Sequence, residues 1–76
     1  MQVDDLVRMA NQIAQFFAPY PEIDAVEGVR DHLNKFWDPA MRKELLGIAN
    51  GLTPSSTPLH ALVLKAVADM RPAEHE

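Results

Sequence analysis

The chain has 76 residues, no cysteine, and 11 acidic against 7 basic residues, for a formal net charge of −4. A chain this short makes one domain that buries only about 60% of the surface its unfolded form exposes, so its core is small and its stability marginal. The absence of cysteine excludes a disulfide framework, a thiolate metal site, an iron–sulfur cluster held by this chain and a cysteine nucleophile, which fits a reducing, cytoplasmic setting.

The first helix is expected over residues 3–18. Leu6, Met9, Ile13, Phe16 and Phe17 recur at helical spacing and share one face. Asp4 and Asp5 in the first turn suit the positive end of the helix dipole, and Pro19 and Pro21 around Tyr20 stop the helix. A second helix follows over 21–37, with Ile23, Val26, Val29, Leu33, Phe36 and Trp37 on one side and Glu22, Asp24, Glu27, Arg30 and Asp31 mostly on the other. Gly28 inside it costs about 1 kcal/mol against alanine, which points to a close approach there by another helix or by a partner's backbone.

Phe16-Phe17-Ala18-Pro19 and Phe36-Trp37-Asp38-Pro39 are the same aromatic-aromatic-x-Pro ending, and Ile13 matches Leu33 as Met9 matches Val29. These are two similar amphipathic helices; a solenoid would need at least about three stacked repeats. Asp38-Pro39 is a helix-start signal. The Asp side chain accepts hydrogen bonds from free backbone N–H groups, and Pro supplies a preset φ while lacking an N–H that needs no partner. Trp37 therefore sits at a tight corner between the second and third helices.

The third helix is expected over 39–50, burying Met41, Leu45, Leu46, Ile48 and Ala49, with Asn50-Gly51 as a left-handed stop. Residues 51–57 read as a polar linker. Thr57-Pro58 opens a fourth helix over 58–70, with Leu59, Leu62, Val63, Ala66, Val67 and Met70 on its apolar face, and the tail 71–76 frays. Four helices without a β-patterned run make an all-α class, a small bundle of about four short helices with the second and third joined at the Trp-Asp-Pro corner. The fourth, after the longest polar loop, has two places to dock: its own bundle or a partner.

No basic leader precedes an apolar run at the N-terminus, and no stretch approaches the roughly 18 apolar residues of a membrane span. The expectation is a soluble chain that keeps its own start methionine. Its acidic balance repels an extended phosphate backbone on average, so nucleic acid is not an expected partner.

Catalytic chemistry has little foothold. His32, His60 and His75 show no i, i+4 pair that would aim two imidazoles at one metal, and His32 beside Asp31 reads as solvated or capping. Serine occurs only at Ser55 and Ser56 in the linker, without a Gly-x-Ser-x-Gly context or a glycine-rich phosphate cradle. The carboxylates line outward faces. No catalytic, cofactor-binding or metal-binding residue is assigned.

Arg42 and Lys43 are unusual because they lie near the start of the third helix, where the dipole disfavours cations by a few tenths to about 1 kcal/mol. Two readings stand: with Lys35 and Trp37 they form a basic, aromatic patch for an acidic partner, or they pair with Glu44, Asp38 or the acidic second helix. Trp37 belongs either to the core or to an interface. Asn11 and Gln12 flank the first helix's apolar stripe without an evident local partner and suit hydrogen bonds across an interface. The candidate partner-binding residues are thus Asn11, Gln12, Lys35, Trp37, Arg42 and Lys43.

The run Leu6-Val7-Arg8-Met9-Ala10-Asn11-Gln12-Ile13-Ala14-Gln15-Phe16-Phe17, followed by His32-Leu33-Asn34-Lys35-Phe36-Trp37-Asp38-Pro39-Ala40-Met41-Arg42, resembles the delta subunit of NAD-dependent formate dehydrogenase. Its most specific pieces are Met9-Ala10-Asn11-Gln12-Ile13 and Phe36-Trp37-Asp38-Pro39-x-Met41-Arg42, with Leu45-Leu46 following. The resemblance implies a small accessory subunit of a soluble bacterial complex that interconverts formate and carbon dioxide using NAD. It also implies that a molybdenum or tungsten cofactor, iron–sulfur clusters and flavin sit on the larger subunits, with none on this chain. It supplies no catalytic residues for this subunit.

The expected function is a non-catalytic subunit, not an enzyme by itself, that binds a larger formate dehydrogenase subunit and supports assembly, stability or cofactor loading. A small helix-turn-helix DNA-binding regulator across the Trp-Asp-Pro corner is the alternative, opposed by the acidic second helix and the scarcity of cations on the third. A small enzyme or metal binder is a third class. A homodimer that pairs exposed faces is one form open to the isolated chain.

Overall fold

The computed structural model describes residues 2–68. They form four helices, α1 Val3–Phe17, α2 Glu22–Phe36, α3 Pro39–Ala49 and α4 Ala61–Ala68, with no strand among the described residues. The chain is all-α, as its patterning required.

Helix α1 touches α2, α3 and α4. Its inward line is Leu6, Val7, Ala10 and Ala14, all buried, with Met9, Ile13 and Phe17 only partly covered. Phe16, expected on the apolar face, is instead 68% exposed. The alanines decide this rotation: small side chains at Ala10 and Ala14 let three helices approach α1 closely, and larger residues at those positions would hold them apart.

Helix α2 begins with the Ala25 N–H donating to the Pro21 carbonyl at 2.8 Å and has no side-chain cap. It buries Ala25, Val29 and Leu33 at strict i, i+4 spacing, so Ile23 and Phe36 fall outside and are strongly exposed. Gly28 faces the Phe17 ring: a Cβ built there would stand 2.5, 2.6 and 2.9 Å from three ring carbons. The close approach implied by that glycine is made by an aromatic ring of α1. The Phe17 ring is also held edge-on to Phe16 and tilted against Tyr20.

After Phe36 the chain runs extended through Trp37 (φ −99°, ψ 133°) and Asp38 (φ −73°, ψ 167°), and Pro39 is the first residue of α3. The Trp37 N–H still donates to the Leu33 carbonyl at 3.0 Å, and Asp38 Oδ1 accepts from the Met41 N–H at 2.8 Å. Between them these bonds satisfy donors at the end of one helix and the start of the next. Trp37 is 4% exposed and joins the core cluster with Leu6, Leu33 and Leu45.

Helix α3 buries Leu45 and Ile48 and ends on Gly51, whose φ of +79° is the left-handed conformation that favours glycine. The Leu52 N–H donates to the Gly47 carbonyl at 2.8 Å and the Gly51 N–H to the Ile48 carbonyl at 3.1 Å. This is the paired Schellman closure of a helix C-terminus.

The polar linker is tied to α1 at two points. Asp4 accepts from the Ser56 N–H at 3.0 Å and the Ser56 hydroxyl at 2.9 Å. Asn11 donates from Nδ2 to the Pro58 carbonyl at 3.1 Å and accepts at Oδ1 from the His60 N–H at 2.8 Å. These bonds shift the start of α4. Thr57-Pro58 signals a helix from residue 58, yet α4 begins at Ala61, because Asn11 takes up backbone groups of Pro58 and His60 and His60 Nδ1 accepts the Leu62 N–H at 3.0 Å as the cap.

Helix α4 packs more extensively on α2 than any other helix pair does, burying Val63, Ala66 and Val67. An ion pair between Lys65 and Glu22 crosses the same contact at the surface. The fourth helix therefore belongs to its own bundle. Met70 and the tail expected to fray lie outside the described residues.

Candidate interaction surface

The six candidate partner-binding residues do not form one patch. Arg42, near the start of α3, turns back onto the end of α2, where its Nη1 donates to the Trp37 carbonyl at 2.8 Å and the Asn34 carbonyl at 3.1 Å. That resolves its odd position. The cation is near the N-terminus of its own helix but sits on carbonyls at the C-terminus of another, where the dipole favours positive charge. Of the two readings of the sequence, pairing with the second helix is the one seen for Arg42, made to backbone carbonyls at its C-terminal end and not to its carboxylates.

Asn11 is likewise committed internally, to Pro58 and His60 across the linker. Its amide looked free because its partners lie 47 and 49 residues away in the chain. Trp37 is a core residue. Lys43 lines a shallow recess with Glu44, Gly47, Asn50 and the exposed Leu52, which Trp37 does not line. Lys35 and Gln12 remain exposed, Lys35 with no ion pair among the described residues.

The histidines are separated in role. His60 is spent on capping α4, and the His32 ring is tilted against Phe36 with centroids 4.7 Å apart. Ser55 and Ser56 hydrogen-bond within the linker and to Asp4. The Ser56 backbone N–H, then its hydroxyl, hold the Asp4 carboxyl below its ordinary range. Among the described residues no group of three or more His, Asp or Glu side chains is placed to hold a metal ion. No helix there is long and apolar enough to cross a membrane.

What the structure does bring together is aromatic. A groove of about 420 Å³ runs between α1 and the end of α2. Met9, Gln12, Ile13, Phe16 and Phe17 of α1 line one side, and His32 and Trp37 line the other. Phe36 does not line it but packs at a tilt against the lining His32, at the groove's border, and is 71% exposed. Thus each aromatic-aromatic-x-Pro ending divides: Phe17 and Trp37 turn inward, while Phe16 and Phe36 stay in water at the same groove.

The partner-binding candidates chosen from sequence omitted Phe16, Phe36 and His32. A usable signal was present. Successive residues on a helix diverge by roughly 100°, so two adjacent aromatics cannot both face one core. In a domain this small one ring of each pair had to be exposed, and in both pairs it is the first.

The described residues thus form an all-helical domain with an aromatic groove, in which Asn11 and Arg42 are spent on internal bonds and Gln12, Lys35 and Lys43 stay exposed. The family model described as NADH-dependent formate dehydrogenase delta subunit FdsD matches residues 5–67, and the chain belongs to this family. No curated protein and no solved structure is similar enough to the chain to count as a match.

Proposed function

We propose that this chain is a non-catalytic accessory subunit that binds a larger subunit of formate dehydrogenase and supports its assembly, stability or cofactor loading. The observation that carries the reading is the family match over residues 5–67, nearly all of the described structure. The dispersal of potential catalytic groups supports it, since His60, Asn11, Arg42 and Ser56 each serve the bundle's own hydrogen bonds. On this reading the molybdenum or tungsten cofactor, the iron–sulfur clusters and the flavin reside on the larger subunits, and the complex works in the cytoplasm. The helix-turn-helix alternative loses ground, because Arg42, one of two cations on α3, is occupied by α2.

The test is made in the native host. A tag on this chain should recover larger formate dehydrogenase subunits together with formate-dependent NAD reduction, and deleting the chain should lower that activity in extracts. Metal content of the enzyme left in the deletion strain separates the roles: loss of molybdenum or tungsten indicates cofactor loading, and loss of intact complex with normal metal content indicates assembly or stability. Normal activity in the deletion strain, with no larger subunit recovered on the tag, would overturn the proposal.

A further inference from the structure

We infer that the Phe16/Phe36 groove is the docking site for an amphipathic helix of a larger formate dehydrogenase subunit, with an acidic residue of that helix meeting Lys35. The inference rests on the accessory-subunit reading above and adds the surface and the chemistry of its occupant.

Three observations carry it. Phe16 is 68% and Phe36 71% exposed although neighbouring rings of the same motifs are packed. With about 200 Å² per ring, on the order of 250 Å² of aromatic surface stands in water at one place, before Met9 and Ile13 are added. A patch of that kind on a small domain marks an interaction site.

The groove has the form a helix needs. Its α1 wall is the stripe Met9, Gln12, Ile13 and Phe16, at i, i+3, i+4 and i+7, which spans about 10 Å or two helical turns. Its opposite side is His32 and Trp37, and Phe36, the i, i+4 neighbour of His32, continues that side at the rim with the two rings tilted against each other, centroids 4.7 Å apart. A helix laid between two such stripes presents its own anchors at i, i+3 or i+4, and i+7.

The charges select the occupant. In a chain with 11 carboxylate side chains, none lines this groove. Lys35, exposed, lies beside Phe36 and three residues from His32, and it has no ion pair among the described residues. A second copy of this chain docked through the same face would bring no carboxylate from its own groove walls to Lys35, because an isologous contact presents the same patch twice. A foreign helix with an apolar stripe and a carboxylate at its edge satisfies both features.

The experiment co-expresses tagged chain with the larger formate dehydrogenase subunits of its host and measures how much larger subunit is recovered. F16A/F36A should reduce recovery at least tenfold, K35E should reduce it severalfold, and I23A/L52A, which trims exposed apolar residues elsewhere, should leave it unchanged. Because Phe16 and Phe36 are largely exposed, F16A/F36A should keep helix content and a cooperative melt while losing only the ring contacts to Phe17 and His32; K35E tests the same groove through charge alone. Failure of the unaltered chain to recover any larger subunit would overturn the accessory-subunit reading itself. Normal recovery by the unaltered chain and by F16A/F36A would remove the groove and leave that reading standing, and normal recovery by K35E would remove the acidic partner residue. If light scattering shows the isolated chain to be a dimer that F16A/F36A converts to monomer, the occupant is a second copy and the inference is wrong.

Discussion

Replacing Gly28 by alanine tests how the two longest helices are fitted together. In an unobstructed helix interior the change stabilises by about 1 kcal/mol, since alanine loses less backbone freedom on folding. Here the new methyl group would enter the Phe17 ring, 2.5–2.9 Å from three of its carbons. That ring is already held by Phe16 and Tyr20, so it cannot turn aside without giving up contacts. Overpacking of this kind costs about 1–3 kcal/mol. With a central value near 2, the net effect of Gly28→Ala is a loss of about 1 kcal/mol. For a domain of this length that corresponds to a fall of roughly 4–8 °C in melting temperature.

The same substitution in a Phe17→Ala background should reverse sign and stabilise by about 1 kcal/mol, because the obstructing ring is gone and only the propensity gain remains. The coupling between the two positions is then about 2 kcal/mol, a size expected for residues in direct contact. Urea unfolding of the four proteins, followed by far-ultraviolet circular dichroism, measures it. Equal stabilisation by Gly28→Ala in both backgrounds would falsify the account of why α2 carries a glycine.

Arg42→Met should destabilise the bundle by about 1–2 kcal/mol in urea unfolding, since it removes charge-assisted bonds to the Asn34 and Trp37 carbonyls; a stability equal to that of the parent would return Arg42 to the partner surface. Asn11→Ala should cost about 1–2 kcal/mol and speed amide exchange at His60, whose N–H loses its acceptor; unchanged exchange there would mean that the linker is held by something else. Asp4 makes the linker acid-sensitive. Its carboxyl is held below the ordinary value of 3.8 in the folded chain, so its contribution is present above that value and is lost as pH falls through the lowered one. Amide exchange at Ser56 should therefore accelerate relative to His60 in that acid range, and Asp4→Asn should abolish the pH dependence; parallel behaviour of the two amides would contradict this.

Most local rules that the sequence states are followed by the structure, the Thr57-Pro58 helix start being the exception, since α4 begins at Ala61. Asp38 caps α3, Gly51 closes it in the left-handed conformation, and the apolar periodicity marks the helices. What sequence could not display is which of several apolar residues wins a place inside. On α1 the large side chains drew attention to Met9, Ile13 and Phe16, whereas close helix packing selected Ala10 and Ala14. The polar candidates were obscured by distance along the chain. Asn11 appeared unpartnered because its partners are backbone groups of a remote segment, and the partners of Arg42 were left open because they are backbone carbonyls, which no residue pattern reveals. Lys35 and Gln12 stayed on the surface, where their neighbours Phe36 and Phe16 give them a context only the fold creates.

This chain is proposed to join the larger subunits of formate dehydrogenase through the Phe16/Phe36 groove. Lysine and carboxylate crosslinking of the assembled complex, read by mass spectrometry, addresses it most directly. Lys35 should crosslink to an acidic residue within a helix of a larger subunit, while Lys65, paired with Glu22 on the α2–α4 contact, should crosslink within this chain. Crosslinks to a larger subunit from Lys65 and none from Lys35 would place the interface elsewhere and contradict the account.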